Sequence, residues 1–205
     1  MNNCCNNDDT AIALQQKQRG TLHAVLAING VMFVVIAIAA WVGDSSALLA
    51  DSLDNLGDAL TYGLSLYAVS RGQTIKARVA MFKGVLIVLA ATVVAARIIY
   101  RLYFPSVPVF EVMGIFSLLG LAANGICLML LWRHRQEDIN MSSVWECSRN
   151  DIASNMAVLI TAAGIWLTGS YWPDLVVASV LVLLLLRSGA SVIRSALQEL
   201  QSVAH

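Results

Sequence analysis

The chain has 205 residues, of which 58% are hydrophobic and 13% charged, and its mean hydropathy is +0.71. This composition excludes a water-soluble globular domain, because such a domain has a larger share of charged residues and a smaller share of hydrophobic ones. Thirteen Lys and Arg balance thirteen Asp and Glu, so net charge gives no reason to expect a nucleic-acid partner.

Apolar blocks recur along the chain, and several reach the roughly 20 residues that a helix needs to cross a bilayer. Polar turns and prolines separate them. The predicted spans are residues 21–42, 46–70, 79–104, 109–132, 144–168 and 174–186, the last with an amphipathic extension to residue 200. We therefore predict an all-α, polytopic membrane protein whose fold is a six-transmembrane-helix bundle.

The predicted domain organisation is one membrane domain between two short tails. Residues 1–19 form a polar tail, residues 20–200 the six-span domain, and residues 201–205 a C-terminal tail. The first twenty residues lack the apolar core and cleavage site of a secretory signal peptide. We expect the first span itself to act as the targeting signal.

The distribution of Lys and Arg predicts the orientation of the bundle. In a six-span arrangement one side collects most of the basic residues near span ends, namely Lys17, Arg19, Arg71, Lys76, Arg78, Lys83, Arg133, Arg135, Arg187 and Arg194. Arg101 lies near the opposite edge, with Asp44 and Asp174. We expect both termini in the cytoplasm and the protein in the cell's inner membrane.

Carboxylates that interrupt the apolar blocks are the candidate functional residues. Asp51, Asp54 and Asp58 lie in the second span and Asp151 in the fifth, where an unpaired charge costs several kcal/mol. Asp54 and Asp58 are one helical turn apart, and Cys147 and Asp151 repeat that spacing. Contact between the two spans would bring four ligands together, the number that a tetrahedral Zn²⁺ site requires.

Other polar residues in or beside the spans have plainer interpretations. Asp44, Asp138 and Asp174 stand near predicted helix ends, where we expect them to act as caps and not as ligands. Asn29 and Asn124 lie within apolar blocks. Ligand or gating roles are open to them, but polar contacts between helices are the expected role.

A second function class remains open on the residues alone. Asp54, Asp58 and Asp151 lie too deep for capping, yet pairing with Arg149 or Lys83 would also satisfy them. The protein would then be a membrane scaffold that transports nothing. An enzyme is not expected, because metalloprotease, P-loop and dinucleotide motifs are absent from the sequence.

The run from Ser45 to Asp58 resembles the second span of the cation diffusion facilitators, also called the cation efflux family: a Ser, a small apolar stretch, an Asp, then His or Asp followed four residues later by Asp. Residues 147–155 and 172–174 resemble the family's fifth span and the start of its sixth. The resemblance implies a homodimeric antiporter in the bilayer that exports Zn²⁺ or a related ion (Cd²⁺, Co²⁺, Fe²⁺ or Mn²⁺) from the cytoplasm against protons. The transport-site ligands that it implies are Asp54, Asp58, Cys147 and Asp151.

The sequence departs from that family pattern at two points. Cys147 occupies the position where the family usually has His, and the usual cytoplasmic C-terminal domain is missing, so we expect a short form of the family. A thiolate favours Zn²⁺ or Cd²⁺, whereas carboxylates alone also suit Fe²⁺, Co²⁺ or Mn²⁺. If Cys147 acts as a small hydrophobic residue instead, Asn150 or a water must complete the metal shell.

The ligand set also predicts an exchange of metal for protons. An empty cluster of carboxylates and a thiol in a low dielectric is not expected to stay fully ionised, and metal binding must expel the protons that it holds. We expect no bound cofactor apart from the transported metal, with Zn²⁺ preferred.

Cys4, Cys5, Asp8 and Asp9 lie close together in the N-terminal tail. They can hold a borderline or soft divalent ion and raise its concentration near the site. An inert, unstructured tail is the stronger interpretation.

Overall fold

The described part of the chain consists of α-helices joined by short connections. The computed structural model describes the backbone of residues 4–68, 73–132 and 139–204, with side chains in residues 20–63, 66, 77–132 and 151–201. Its helices are α1 (Cys4–Val42), α2 (Ser46–Ala68), α3 (Gln73–Tyr103), α4 (Phe110–Trp132), α5 (Ile139–Thr168) and α6 (Trp172–Ala204). The predicted all-α fold of six helices is confirmed.

Five of the described helices, α1 and α3 to α6, are long and apolar enough to cross a membrane. The remaining one, α2, has 23 residues but carries three aspartates. Exposed apolar side chains such as Val34, Leu89, Leu118 and Leu183 cover the outer faces of the bundle, where an integral membrane protein contacts lipid. The protein is therefore an integral membrane protein.

Helix bounds agree closely with the predicted spans, except at three starts. α1 begins at Cys4, well before the predicted start at Thr21, so the boundary predicted at residue 20 does not coincide with a break in the helix. α3 begins at Gln73 instead of Val79, and α5 begins at Ile139 instead of Val144. In all three cases a mainly polar segment extends a helix beyond its apolar part.

The helices pack in pairs that bring α2 against α5. α1 packs on α2, α4 on α5 and α3 on α6, while α2 also contacts α3, α5 and α6. Buried apolar residues from several helices, among them Ile36, Leu48, Val158 and Val182, fill the space between the pairs. The contact between the second and fifth spans that the predicted metal site needs is present.

α3 and α6 approach so closely that glycine is required on both. A Cβ at Gly84 would lie 2.6 Å from Ile193 Cγ1 and 3.2 Å from the carbonyl oxygen of Gly189. A Cβ at Gly189 would lie 2.8 Å from Val88 Cγ2 and 3.3 Å from the carbonyl oxygen of Gly84. Small residues that allow backbones to touch are the usual basis of close packing between membrane helices.

Asp44 joins three connected segments at one end of the bundle. Its backbone is left-handed, with φ at 51°, and its carboxylate pairs with Arg97 at 2.9 Å and Arg101 at 2.7 Å. Ser106, in the connection between α3 and α4, donates a hydrogen bond to Asp44 at 2.6 Å. The cap predicted for Asp44 is wrong: the residue is the ion-pair partner of Arg97 and Arg101.

Asp174 caps a helix, but not its own. Its carboxylate accepts hydrogen bonds from Ser45 Oγ at 2.6 Å and from the backbone N–H groups of Ser46 at 2.8 Å and Ala47 at 3.1 Å. These amides belong to the first turn of α2, which lacks partners of its own there. Ser45 Oγ completes the cap by accepting from the N–H of Leu48 at 3.0 Å. The third predicted cap, Asp138, lies outside the described residues.

Candidate metal centre

A cavity of about 580 Å³ opens between α2, α3, α5 and α6. Three of the four predicted ligands, Asp54, Asp58 and Asp151, line it, together with the apolar side chains of α6 such as Leu181 and Leu184. The arrangement follows from the helical spacing, because residues one turn apart project from the same face of α2. Carboxylates of two helices thus share one cavity within the helix bundle.

On α2, hydrogen bonds hold both aspartates in place. Asp54 Oδ2 accepts from Ser154 Oγ of α5 at 3.1 Å, which links the two helices at the cavity. Asp58 Oδ2 accepts from the hydroxyl of Tyr62 at 2.7 Å, and Tyr62 is fully buried. Sequence reasoning missed both hydroxyl groups, although Tyr62 follows Asp58 by one helical turn and Ser154 follows Asp151 by three residues.

On α5, Asp151 is buried and faces Asp58 across the cavity. The carboxyl groups of Asp58 and Asp151 are close enough to interact with each other. Because an ionised carboxylate can only accept, a direct hydrogen bond between them needs a proton on one of the two groups. Asp151 Oδ2 has no hydrogen-bond partner, so the pair keeps acceptor capacity that points to a cation or a proton donor.

Cys147 lies in α5 one helical turn before Asp151. Its side chain, and those of Arg149 and Asn150, fall outside the described residues. Among the residues that are described, no three His, Cys, Asp or Glu side chains are close enough together to hold one metal ion. The aspartates share a cavity but do not converge on a single point.

Lys83 of α3 also lines the cavity. Its ammonium group donates a hydrogen bond to Thr61 Oγ1 on α2 and interacts electrostatically with Asp58. The alternative pairing of the aspartates with Lys83 therefore has a structural basis. Arg149, the other predicted partner of the aspartates, has its side chain outside the described residues.

Buried polar groups of α2 and α5 also lie outside the lining of the cavity. Asp51 is fully buried, and neither of its carboxylate oxygens has a hydrogen-bond partner. Asn55 and Asn155 each donate to the carbonyl one turn back, at 3.1 Å to Asp51 and 2.8 Å to Asp151, which leaves their side-chain oxygens without partners. These oxygens are unpaired acceptors outside the cavity.

Of the two asparagines in α1 and α4, one makes the predicted contact between helices. Asn29 donates to the carbonyl of Val25 in its own helix at 3.0 Å and reaches Cys127 Sγ of α4 at 3.9 Å. Neither side-chain atom of Asn124 has a partner. The predicted polar contact between helices is therefore present, at a long distance, for Asn29, and the prediction is wrong for Asn124.

Comparison with known proteins identifies the family. The cation efflux transmembrane domain matches residues 22–201. Proteins described as zinc transporter ZitB, from Yersinia pseudotuberculosis serotype I (strain IP32953) and from Yersinia pestis, are each 25% identical to this chain over 93% of its length. The chain spans 65% of the length of these relatives. Because the match covers nearly all six helices, the chain belongs to the cation efflux family.

Proposed function

We propose that this protein exports a divalent metal cation across the membrane in exchange for protons. The observation that carries the proposal is the membrane cavity lined by Asp54, Asp58 and Asp151. Carboxylates held at membrane depth are costly unless they bind an ion, a proton or a partner. Three of them around one accessible space provide the charge and the oxygen ligands that a divalent cation needs.

The proximity of the Asp58 and Asp151 carboxyl groups supports proton exchange. Two ionised carboxylates this close repel each other, and a proton on one of them relieves that repulsion when metal is absent. A metal ion needs both groups ionised and must displace that proton as it binds. For the carboxylates to converge on one ion, α2 and α5 must close further around it than in the conformation described.

Zn²⁺ is the preferred substrate in this proposal, with Cd²⁺, Co²⁺, Fe²⁺ and Mn²⁺ as related candidates. The relatives are named zinc transporters, and a Cys147 thiolate beside three carboxylates would favour a borderline metal. We further propose a homodimer in the inner membrane, with both termini in the cytoplasm. The Lys and Arg distribution supports that orientation.

Metal-dependent proton flux in proteoliposomes tests the proposal. We expect Asp54→Asn, Asp58→Asn and Asp151→Asn each to abolish Zn²⁺ uptake and the accompanying proton movement, since each removes a charged ligand. Glu111→Gln is the matched control, because Glu111 is exposed at the start of α4 and lies outside the cavity. Transport retained in Asp151→Asn would contradict the proposal.

The same variants separate the transporter from the scaffold. A scaffold whose aspartates pair with Lys83 or with hydroxyl groups would lose stability on substitution. A transporter would keep its thermal stability and its yield in the membrane while losing flux. Reduced yield of all three variants, with no metal flux in the unsubstituted protein, would favour the scaffold.

A further inference from the structure

Lys83 brings a positive charge into a cavity that is otherwise suited to cations. The residue lies on α3 and lines the same cavity as Asp54, Asp58 and Asp151. The close approach of α3 to α6 at the neighbouring Gly84 fixes the position of this helix. Lys83 is half-buried, so its charge is only partly screened by solvent.

The hydrogen bond to Thr61 holds the ammonium group of Lys83 in a defined position. Thr61 Oγ1 donates its own hydrogen to the carbonyl of Gly57 at 2.7 Å. Its remaining lone pairs can therefore only accept, and Lys83 Nζ supplies the donor. Because Thr61 follows Asp58 by three residues on α2, the contact holds the ammonium group near the aspartates.

Charge balance indicates what the ammonium group does there. Three ionised carboxylates and one ammonium leave a net charge of minus two, which one divalent cation cancels. Without the lysine, the same carboxylates would hold a divalent ion in a site with one negative charge in excess. Such a site would bind metal more tightly and release it more slowly.

We propose that Lys83 is a tethered cation of the transport cavity, which partly neutralises the aspartates when the cavity is empty and weakens their hold on the metal so that it can leave. This inference rests on the proposed function and deepens it. Lys83 is a positioning and affinity-setting residue in this scheme and does not ligate the metal. It answers a general requirement of transport, since a site that binds its cargo too tightly cannot release it.

A purely structural lysine would behave in the opposite way. If the contact with Thr61 served only to join α2 to α3, removing it would lower thermal stability, and metal binding would weaken or stay the same. A tethered cation predicts that loss of the charge tightens metal binding. The sign of the change in affinity therefore separates the two roles.

The test measures Zn²⁺ binding and transport by the purified full chain with three variants. Lys83→Met keeps the length of the side chain without its charge, Lys83→Arg keeps the charge, and Arg78→Met removes a charge from an exposed position on the same helix. We expect Lys83→Met to bind Zn²⁺ about tenfold more tightly or better in calorimetric titration. Its KM should fall together with its kcat, because release becomes slow. Lys83→Arg and Arg78→Met should resemble the unsubstituted protein.

Each outcome decides a different question. Equal or weaker Zn²⁺ binding by a folded Lys83→Met variant would overturn the role of Lys83 and leave the proposed function intact. Absence of Zn²⁺ binding and transport in the unsubstituted protein would overturn the proposed function itself. If Lys83→Met does not fold, Lys83→Gln, which retains a donor to Thr61, replaces it and is read by the same criterion.

Discussion

Asp44 is constrained in both its backbone and its side chain. Partial burial acts against its charged form, but the hydrogen bond from Ser106 and the positive charges of Arg101 and Arg97 outweigh that effect. The result is a pKa below the ordinary value of 3.8. A carboxylate whose pKa falls on folding stabilises the folded protein above its ordinary pKa, and that stabilisation is lost as the pH drops through the lowered value.

We therefore expect Asp44→Asn to reduce the acid sensitivity of the protein. Asn tolerates the left-handed backbone at this position, so the substitution removes mainly the charge. The Asp44 side chain is 48% exposed, and solvent screening limits the contribution of each ion pair to about 1 kcal/mol or less. Thermal unfolding in detergent from about pH 6 to about pH 2, a range that passes both the ordinary carboxyl pKa and the lowered one, measures the effect. The unsubstituted protein should lose more stability than the variant over the acid part of that range, and parallel curves would contradict the assignment.

Cys147 is a candidate ligand whose role can be tested by measuring which metals the protein prefers to transport. We expect Cys147→Ser to reduce Cd²⁺ transport more than Mn²⁺ transport, because a soft thiolate is replaced by a hard hydroxyl. Cys147→His restores the family's usual ligand at this position, so it should shift the metal preference toward that of a site with His. The ratio of Cd²⁺ to Mn²⁺ flux in liposomes is the measurement, and an unchanged metal ranking in both variants would remove Cys147 from the metal shell.

Single residues also show what the sequence could predict. Asp54, Asp58 and Asp151 were identifiable because a carboxylate in an apolar block is costly and the helical period places residues one turn apart on one face. Lys83 could be named only as a possible partner. Whether a lysine near a span end faces lipid headgroups or a cavity depends on how its helix is rotated, which packing determines.

At the scale of elements, the close contact between α3 and α6 makes a prediction of its own. A methyl group at Gly84 would meet Ile193 and the backbone of α6, so we expect Gly84→Ala to destabilise the protein by about 1–3 kcal/mol. Gly114→Ala is the matched control in α4, because a Cβ there meets nothing within 4 Å. That change should stabilise the helix slightly, by about 0.4–1 kcal/mol. Thermal unfolding of both variants measures the difference, and equal shifts would show that α3 and α6 separate without cost.

The existence and order of the helices were predictable, but the starts of α1, α3 and α5 were not. Hydropathy detects the part of a helix that lies in lipid, and it therefore placed the start of α1 at Thr21. The preceding segment is polar, but it contains Ala, Leu, Gln, Lys and Arg and no proline, and these residues favour helix. The helix therefore continues from Cys4. This also means that Cys4 and Cys5 begin a helix and do not lie in an unstructured tail.

At the scale of the whole molecule, polar contacts are distributed unevenly along the bundle. At one end Asp44 joins the turn after α1 to α3 and to the connection before α4, and Asp174 joins α6 to the start of α2. These contacts link residues far apart in the sequence, and for that reason sequence analysis interpreted both aspartates as local caps. Asp54, Asp58 and Lys83 lie farther from that end and line the cavity between α2, α3, α5 and α6.

The cap that Asp174 provides for α2 has a consequence for the order in which the protein is made. α2 emerges from the ribosome long before α6, so its first-turn amides must be satisfied by Ser45 and by water until the later helix arrives. With three aspartates, α2 is also poorly suited to enter lipid by itself. In a nascent chain that ends before Asp174, α2 therefore lacks the carboxylate that caps its first turn. The insertion machinery or neighbouring helices must shelter α2 until synthesis reaches α6.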